Sequence, residues 1–276
     1  MATERITVGS VEIASVIDGV MRGPASFFFS GIPPEMYLPA LGNEHENGFI
    51  NVKFGSFLVR SAGKTVLVDT GAGKHNPAMP GGKLIENLAT IGVQPADVDI
   101  VVNTHLHVDH VGWNCDERDG ALVPTFANSE YWITRTEWDY WTDPTNAAEE
   151  GAHIAHGVLP LKDSPQLKLI DGEASITPEL HMLSTPGHTP GHISIGVASG
   201  GEQAIILGDV AHHPLNLVRI WLASVDELQR ISRRTKRALI ERLIREQTLV
   251  CGGHFTPGSF GRFVMADGQR AWQPID

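Results

Sequence analysis

The stretch Thr104-His105-Leu106-His107-Val108-Asp109-His110 decides how this chain is read. Three imidazoles and a carboxylate follow directly on the apolar run Ile100-Val101-Val102. Neutral imidazole is a nitrogen donor suited to zinc or iron, and carboxylate supplies a hard anionic oxygen. Residues two apart share a face on extended backbone, so His105 and His107 point together. A turn just beyond them brings Asp109 and His110 toward a neighbouring point, which makes two adjacent metal ions geometrically possible. The competing reading is an exposed polar loop that is rich in histidine by accident, and the rest of the chain argues against it.

Working outward, residues 100–103 read as a short strand buried on both faces, with the histidine cluster at its carboxyl end, where α/β folds commonly place ligands. Upstream, 8–17, 47–61 and 65–69 are strand-like, and Ala62-Gly63-Lys64 is a hairpin turn between the last two. Residues 21–46 between them are rich in proline and aromatic residues and read as irregular. Leu84, Leu88 and Ile91 recur at helical spacing, and Gly92 ends that helix. Downstream, 128–134 is strand-like and 136–141 and 147–158 are helical. Strand patterns return at 167–170, 176–177, 180–184, 192–198, 204–208 and 249–251. The clearest helix is 226–247, with Leu228, Ile231, Leu239 and Leu243 on its apolar face. Strands and helices thus pass twice in a similar order, which predicts an α/β sandwich of two sheets face to face with helices outside, in one domain over 1–276.

Composition narrows the function. The chain has 276 residues, 42% of them hydrophobic and 19% charged, as in an ordinary globular protein. Its formal charge of −11 disfavours a nucleic-acid partner, because polyanion binding needs a basic footprint. The one dense basic run, 230–245, reads as the solvated face of a helix. Two cysteines, Cys115 and Cys251, are too few for a disulfide scaffold. No secretory signal pattern opens the chain and no run approaches membrane-spanning length, so a cytoplasmic protein without a membrane partner is expected.

Three more ligand-type residues close strand-like segments on tight, glycine-bearing loops. They are His188 in Thr185-Pro186-Gly187-His188, Asp209 after Gly208, and His254 after Gly252-Gly253. Together with Asp69 and the 105–110 cluster, this ordered set resembles the metallo-β-lactamase superfamily over about residues 47–256. The resemblance implies a four-layer αββα fold with mixed sheets. It implies that His105, His107 and His188 hold a first metal, that Asp109, His110 and His254 hold a second, and that Asp209 bridges both. Asp69 would orient a ligand histidine, although a loop-closing role is the alternative; His192 reads as structural. Two divalent ions per subunit are implied, zinc foremost, with iron, manganese or cobalt able to take the same cage. Such a pair lowers the pKa of a shared water toward neutrality, for attack by a bridging hydroxide on an ester-like centre.

Within the superfamily, the arrangement looks most like the branch of quorum-quenching lactonases and methyl-parathion-hydrolase-like enzymes. That implies a hydrolase opening lactones or related carboxylic esters, with Asp109, Asp209 and His212 in catalytic roles. Phosphotriester and β-lactam hydrolysis are the alternatives, and a non-enzymatic metal-dependent binding protein is a more distant one. One departure stands out: those lactonases commonly place a tyrosine three residues beyond the bridging aspartate, where this chain has His212, followed by His213. Histidine at that point can donate a hydrogen bond to substrate or merely cap a loop. Phe27, Phe28, Phe29, Trp113, Trp138, Trp141 and Trp221 are candidates for an apolar substrate wall, and each tryptophan is as readily a core residue. The 20–46 segment could equally cover a second subunit in a homodimer.

Overall fold

The computed structural model describes residues 3–76, 79–256 and 258–275. Period-two alternation with apolar residues on both faces builds its centre. Val66 and Val68 face inward while Leu67 faces outward, and the same holds for Ile100 and Val102 against Val101. In the second half, Ala204 and Ile206 face inward and Ile205 outward, as do Leu249 and Cys251 against Val250. Strands of this kind must be covered twice, once by another sheet and once by helices.

The first sheet runs, in spatial order, through Arg5–Val8, Val11–Pro24, Phe49–Ser61, Lys64–Val68, Ile100–Val102, Glu130–Thr134 and Leu167–Ile170, with the short His45–Glu46 strand beside Phe49–Ser61. The second runs through Leu180–Ser184, Ile193–Ser199, Glu202–Ile206, Leu249–Cys251, Phe260–Ala266 and Gln269–Pro274. Both sheets are mixed: Lys64–Val68, Ile100–Val102, Glu130–Thr134 and Leu167–Ile170 are parallel neighbours, as are Glu202–Ile206 and Leu249–Cys251. Val59, Val66 and Val102 of one sheet meet Leu180, Ile195 and Ile206 of the other in the inter-sheet core. Leu84 and Leu88 of helix Leu84–Thr90, with Trp138 and Trp141 of helix Arg135–Thr142, cover the outside of the first sheet. Leu239, Ile240 and Leu243 of helix Gln229–Glu246 cover the outside of the second. The four layers are helix, sheet, sheet, helix. No helix among the described residues is long and apolar enough to cross a membrane.

Several expectations need correction. The strand expected at 8–17 is a hairpin, because Gly9 adopts φ +57 and turns the chain between Val8 and Val11. The second arm runs on to Pro24, so 21–46 is partly regular and continues into helices Ala25–Phe28 and Pro34–Leu41. Residues 176–177 form no strand; the segment contributes one isolated bridge, Ser175 to His181. The long helix begins at Gln229, and Ile231 on it is 40% exposed. Its inner face at that turn carries Ser232 and Lys236, because it meets the His188 loop and Asp226 instead of apolar side chains. The 62–64 turn is a two-residue loop in which Ala62 (φ 49) and Gly63 (φ 75) are both left-handed, the geometry that matches the twist of paired strands.

Candidate metal centre

The ligand-type residues lie on the segments that leave the carboxyl ends of strands, Asp109 and His110 on the short helix Val108–Val111 and Asp209 in the single turn Gly208–Val210, where both sheets open at one rim of the sandwich. His105, His107, Asp109 and His110 follow Ile100–Val102, and Asp69 follows Lys64–Val68. His188 follows Leu180–Ser184, Asp209 follows Glu202–Ile206, and His254 follows Leu249–Cys251. Gly208 has φ +56, and a Cβ on it would lie 2.6 Å from His192 Nε2, so only glycine lets the chain turn Asp209 into the rim. His192 Nε2 accepts from the Asp209 amide (2.9 Å) and its Nδ1 donates to the Thr185 carbonyl (3.1 Å), which makes it a support for that turn.

The side chains converge in two groups. His107 Nδ1 lies 3.1 Å from His105 Nε2 and 2.9 Å from His188 Nε2. His110 Nε2 and His254 Nε2 lie 3.8 and 3.6 Å from the two oxygens of Asp109. Asp209 stands between the groups with one oxygen turned to each. Its Oδ2 is 3.3 Å from His188 Nε2 and 3.7 Å from His105 Nε2, while its Oδ1 is 3.3 Å from His110 Nε2 and 3.0 Å from His254 Nε2. His212 Nε2 also reaches Asp209 Oδ2, at 3.1 Å. His105, His107, His188 and Asp209 could together hold one cation, as could Asp109, His110 and His254; Asp209, His212 and His254 form an overlapping third set.

Whether these residues suit cations is tested by their far sides. Thr104 donates its hydroxyl to Asp69 Oδ2 (2.8 Å), so the Thr104 Oγ1 itself accepts from His105 Nδ1 (3.0 Å) and leaves Nε2 as the lone-pair nitrogen facing the rim. His254 Nδ1 donates to the Lys53 carbonyl (2.8 Å) with the same result. His110 Nδ1 meets Asp69 Oδ2 at 2.9 Å, and His188 Nδ1 meets Asp226 Oδ1 at 3.2 Å. Outer partners of this kind fix ring orientation and tautomer in metal sites. The inward atoms His110 Nε2, His254 Nε2 and Asp209 Oδ1 are buried without a hydrogen-bond partner. Buried polar atoms are rarely left so, and a cation among them would satisfy all three.

The electrostatics point the same way. Burial, reinforced by neighbouring imidazoles, holds His105 and His188 well below the usual histidine range, so both are neutral donors. Burial disfavours a charge on His110 as well, yet Asp209, Asp69 and Asp109 outweigh it and raise the ring well above that range. Asp209 is held well below the carboxylate range by His254, His110 and His212 against its own desolvation. A field that keeps a proton on a buried ring is a field that attracts cations.

The sequence reading overlooked Glu137, Asp226 and Lys236. Asp226, wholly buried, receives Lys236 Nζ (2.8 Å) and the Ala223 amide (3.1 Å) behind His188. Glu137 sits behind both loops of the first group. A carboxylate three residues after a threonine cap is the pattern of an ordinary capping box, which is why Glu137 drew no notice. Thr134 does accept from the Glu137 amide, but the carboxylate is directed elsewhere.

The aromatic candidates divide. Phe28 packs 5.7 Å from the His212 ring and Trp141 lies 5.2 Å from His107. Trp113 is buried behind the centre with its indole donating to Asp18, and Trp138 is core. Phe29 and Trp221 pack on one another one layer back, Phe29 also against His213, and Phe27 is exposed.

Against this geometry, known proteins can be compared. A model of the metallo-beta-lactamase superfamily matches residues 56–254. The N-acyl homoserine lactonase AiiA of Bacillus thuringiensis subsp. kurstaki is 26% identical over 176 residues, covering 57% of this chain and 63% of that protein, under two thirds of its length. An N-acyl homoserine lactonase of Bacillus cereus is 25% identical over 74% of this chain and 82% of its own. Among solved structures, the hydrolase AbOPH superposes with TM-score 0.85 at 24% identity, over 99% of this chain and 97% of that one. The dizinc quorum-quenching lactonase AidC, in complex with a product, gives TM-score 0.85 at 21% identity over the same shares. The match over most of the chain, on the strands and loops that carry the ligand-type residues, makes this protein a member of the metallo-beta-lactamase superfamily.

Proposed function

We propose that the protein is a dinuclear metallohydrolase that opens lactones or related carboxylic esters. The observation that carries this reading is Asp209, whose two oxygens face two separate histidine groups within 3.0–3.7 Å. Similarity to N-acyl homoserine lactonases supports the choice of ester chemistry. His105, His107 and His188 would hold one divalent cation and Asp109, His110 and His254 the other, with Asp209 shared; zinc suits the nitrogen and carboxylate donors. Bound there, the cations supply Lewis acidity toward a carbonyl oxygen and an ionised water at neutral pH.

The chain supplies position and proton traffic. Asp109, half-buried at the rim, accepts a hydrogen bond from the attacking water and so aims it. In this reading His212 would donate a proton to the leaving alkoxide as the acyl C–O bond breaks. Its ring is fixed by stacking on His254 (5.2 Å, 15°) and by Phe28. Phe28 and Trp141 are buried, at 2% and 1% exposed, so they pack behind His212 and His107 and offer no surface to an acyl tail. The exposed Phe27 and Met36 of the 20–46 segment are read as a homodimer contact, tested by sedimentation at micromolar concentration.

The deciding experiment measures kcat/KM of zinc-loaded protein on acyl-homoserine lactones, aryl esters, a paraoxon-type phosphotriester and a cephalosporin side by side. Lactone or ester turnover should exceed the other two by at least tenfold. A dominant phosphotriester or β-lactam rate would replace the proposal with that activity.

A further inference from the structure

We propose that Glu137 is a positioning residue of the first ligand group, a carboxylate that ties the backbone of the His105–His107 loop to that of the His188 loop. This rests on the dinuclear reading above. Glu137 is 1% exposed and every acceptor site of its carboxylate is used. Oε1 accepts from the Leu106 amide (3.1 Å), between the two histidines, and from the Trp141 indole (2.6 Å), whose ring meets His107. Oε2 accepts from the Thr189 hydroxyl (2.8 Å) and the Gly191 amide (2.9 Å), just beyond His188. The helix bearing Glu137 is locked to the same loop a second time, because Thr134 donates to the Gly191 carbonyl (2.8 Å). A Cβ on Gly191 would strike the Glu137 backbone, so glycine is what permits the approach. None of these bonds reaches Asp109, His110 or His254. His110 is held instead by Asp69 and His254 by the Lys53 carbonyl. Asp69 serves both groups, through Thr104 and through His110, whereas the Glu137 bonds reach the first group alone, so loss of Glu137 should loosen only that one.

Glu137→Gln keeps the volume and replaces one acceptor oxygen by a donor. Whichever way the amide lies, an N–H of the chain faces an N–H of the side chain, and one loop is released. The test titrates zinc-loaded protein with a chelator and measures zinc per chain after desalting. Two backgrounds separate the half-sites: His254→Ala leaves the first group complete, and His188→Ala leaves the second. In the His254→Ala background, Glu137→Gln should shift the release midpoint about 10- to 100-fold toward lower chelator, the usual effect of removing an outer partner. In the His188→Ala background it should shift less than twofold. Equal shifts in both backgrounds, or none in the first, would overturn the assignment and mark Glu137 as a general packing residue. Thr189→Val removes a single donor and should give a smaller shift of the same selectivity, which keeps the test open if Glu137→Gln does not fold. Fewer than two zinc ions per chain in the unmodified protein would defeat the dinuclear reading itself. Two ions there, with no selective shift, would defeat this inference alone.

Discussion

Replacing Lys236 by methionine isolates one buried charge pair. Lys236 is 1% exposed, and its ammonium lies 2.8 Å from Asp226 Oδ2 and 2.7 Å from Ser232 Oγ. Asp226 is in turn the partner of His188 Nδ1. Without the lysine, the carboxylate keeps only the Ala223 amide and His188, and it stands uncompensated in a dry interior. Removing one member of such a pair costs about 3–5 kcal/mol, because the survivor retains its desolvation penalty. At roughly 2–4 °C per kcal/mol for a chain of this size, the melting midpoint should fall by at least about 6 °C. Urea unfolding of metal-free protein measures the loss directly. The double variant Lys236→Met, Asp226→Asn leaves no buried charge and should recover more than half of it. Burial pushes Asp226 up, but His188 and Lys236 outweigh it and hold the carboxyl below the usual carboxylate range. A depressed carboxylate contributes fully above its unfolded value, about 3.9, and loses that contribution as pH falls through the folded value. The difference between the parent and Asp226→Asn should therefore be flat at neutral pH and shrink in acid. A cost below about 1 kcal/mol for Lys236→Met, or a double variant no better than the single, would refute the reasoning.

Three further outcomes are expected. Asp209→Asn should leave fewer than two zinc ions per chain by elemental analysis and reduce kcat/KM by on the order of 100-fold or more, since an amide compensates neither cation. His212→Phe should keep both ions and lower kcat by about 10²- to 10⁴-fold, with His212→Tyr recovering part of it; a fall in zinc content would identify His212 as a ligand instead. Gly208→Ala should cost about 1–3 kcal/mol in urea unfolding, because the residue holds φ +56 and the new methyl meets His192.

Much of the fold was legible because the central strands obey a rule that a sequence displays. Short apolar runs such as Ile100-Val101-Val102 and Leu249-Val250-Cys251 make sense only between a sheet and a helix layer, and both lie there. The helix spacing of Leu84 and Leu88 and the Ala62-Gly63 turn were equally local. What failed was nonlocal or depended on one backbone angle. The hairpin at Gly9 hides inside a continuous strand-like pattern, since nothing nearby marks the turn except a glycine and a serine. Ile231 fits the apolar period of its helix, but at that turn the buried face is carried by Ser232 and Lys236, and Ile231 is left exposed.

The centre divides along the same line. The imidazoles and carboxylates that converge at the rim announce themselves, because such residues on glycine-bearing turns have few other uses in such density. Residues that hold those groups do not, because a carboxylate receiving backbone amides is chemically an ordinary cap or turn former until its partners are known. Glu137 bonds to chain positions 31 and 54 residues away, and Asp226 to one 38 residues away. Those separations carry no local signature. Yet the outer groups decide which ring nitrogen is free: His105 Nε2 faces inward because Thr104 accepts from Nδ1, and Thr104 can accept because its proton is given to Asp69. The side chains that converge were thus readable in one dimension, while their protonation and aim are properties of the folded chain alone.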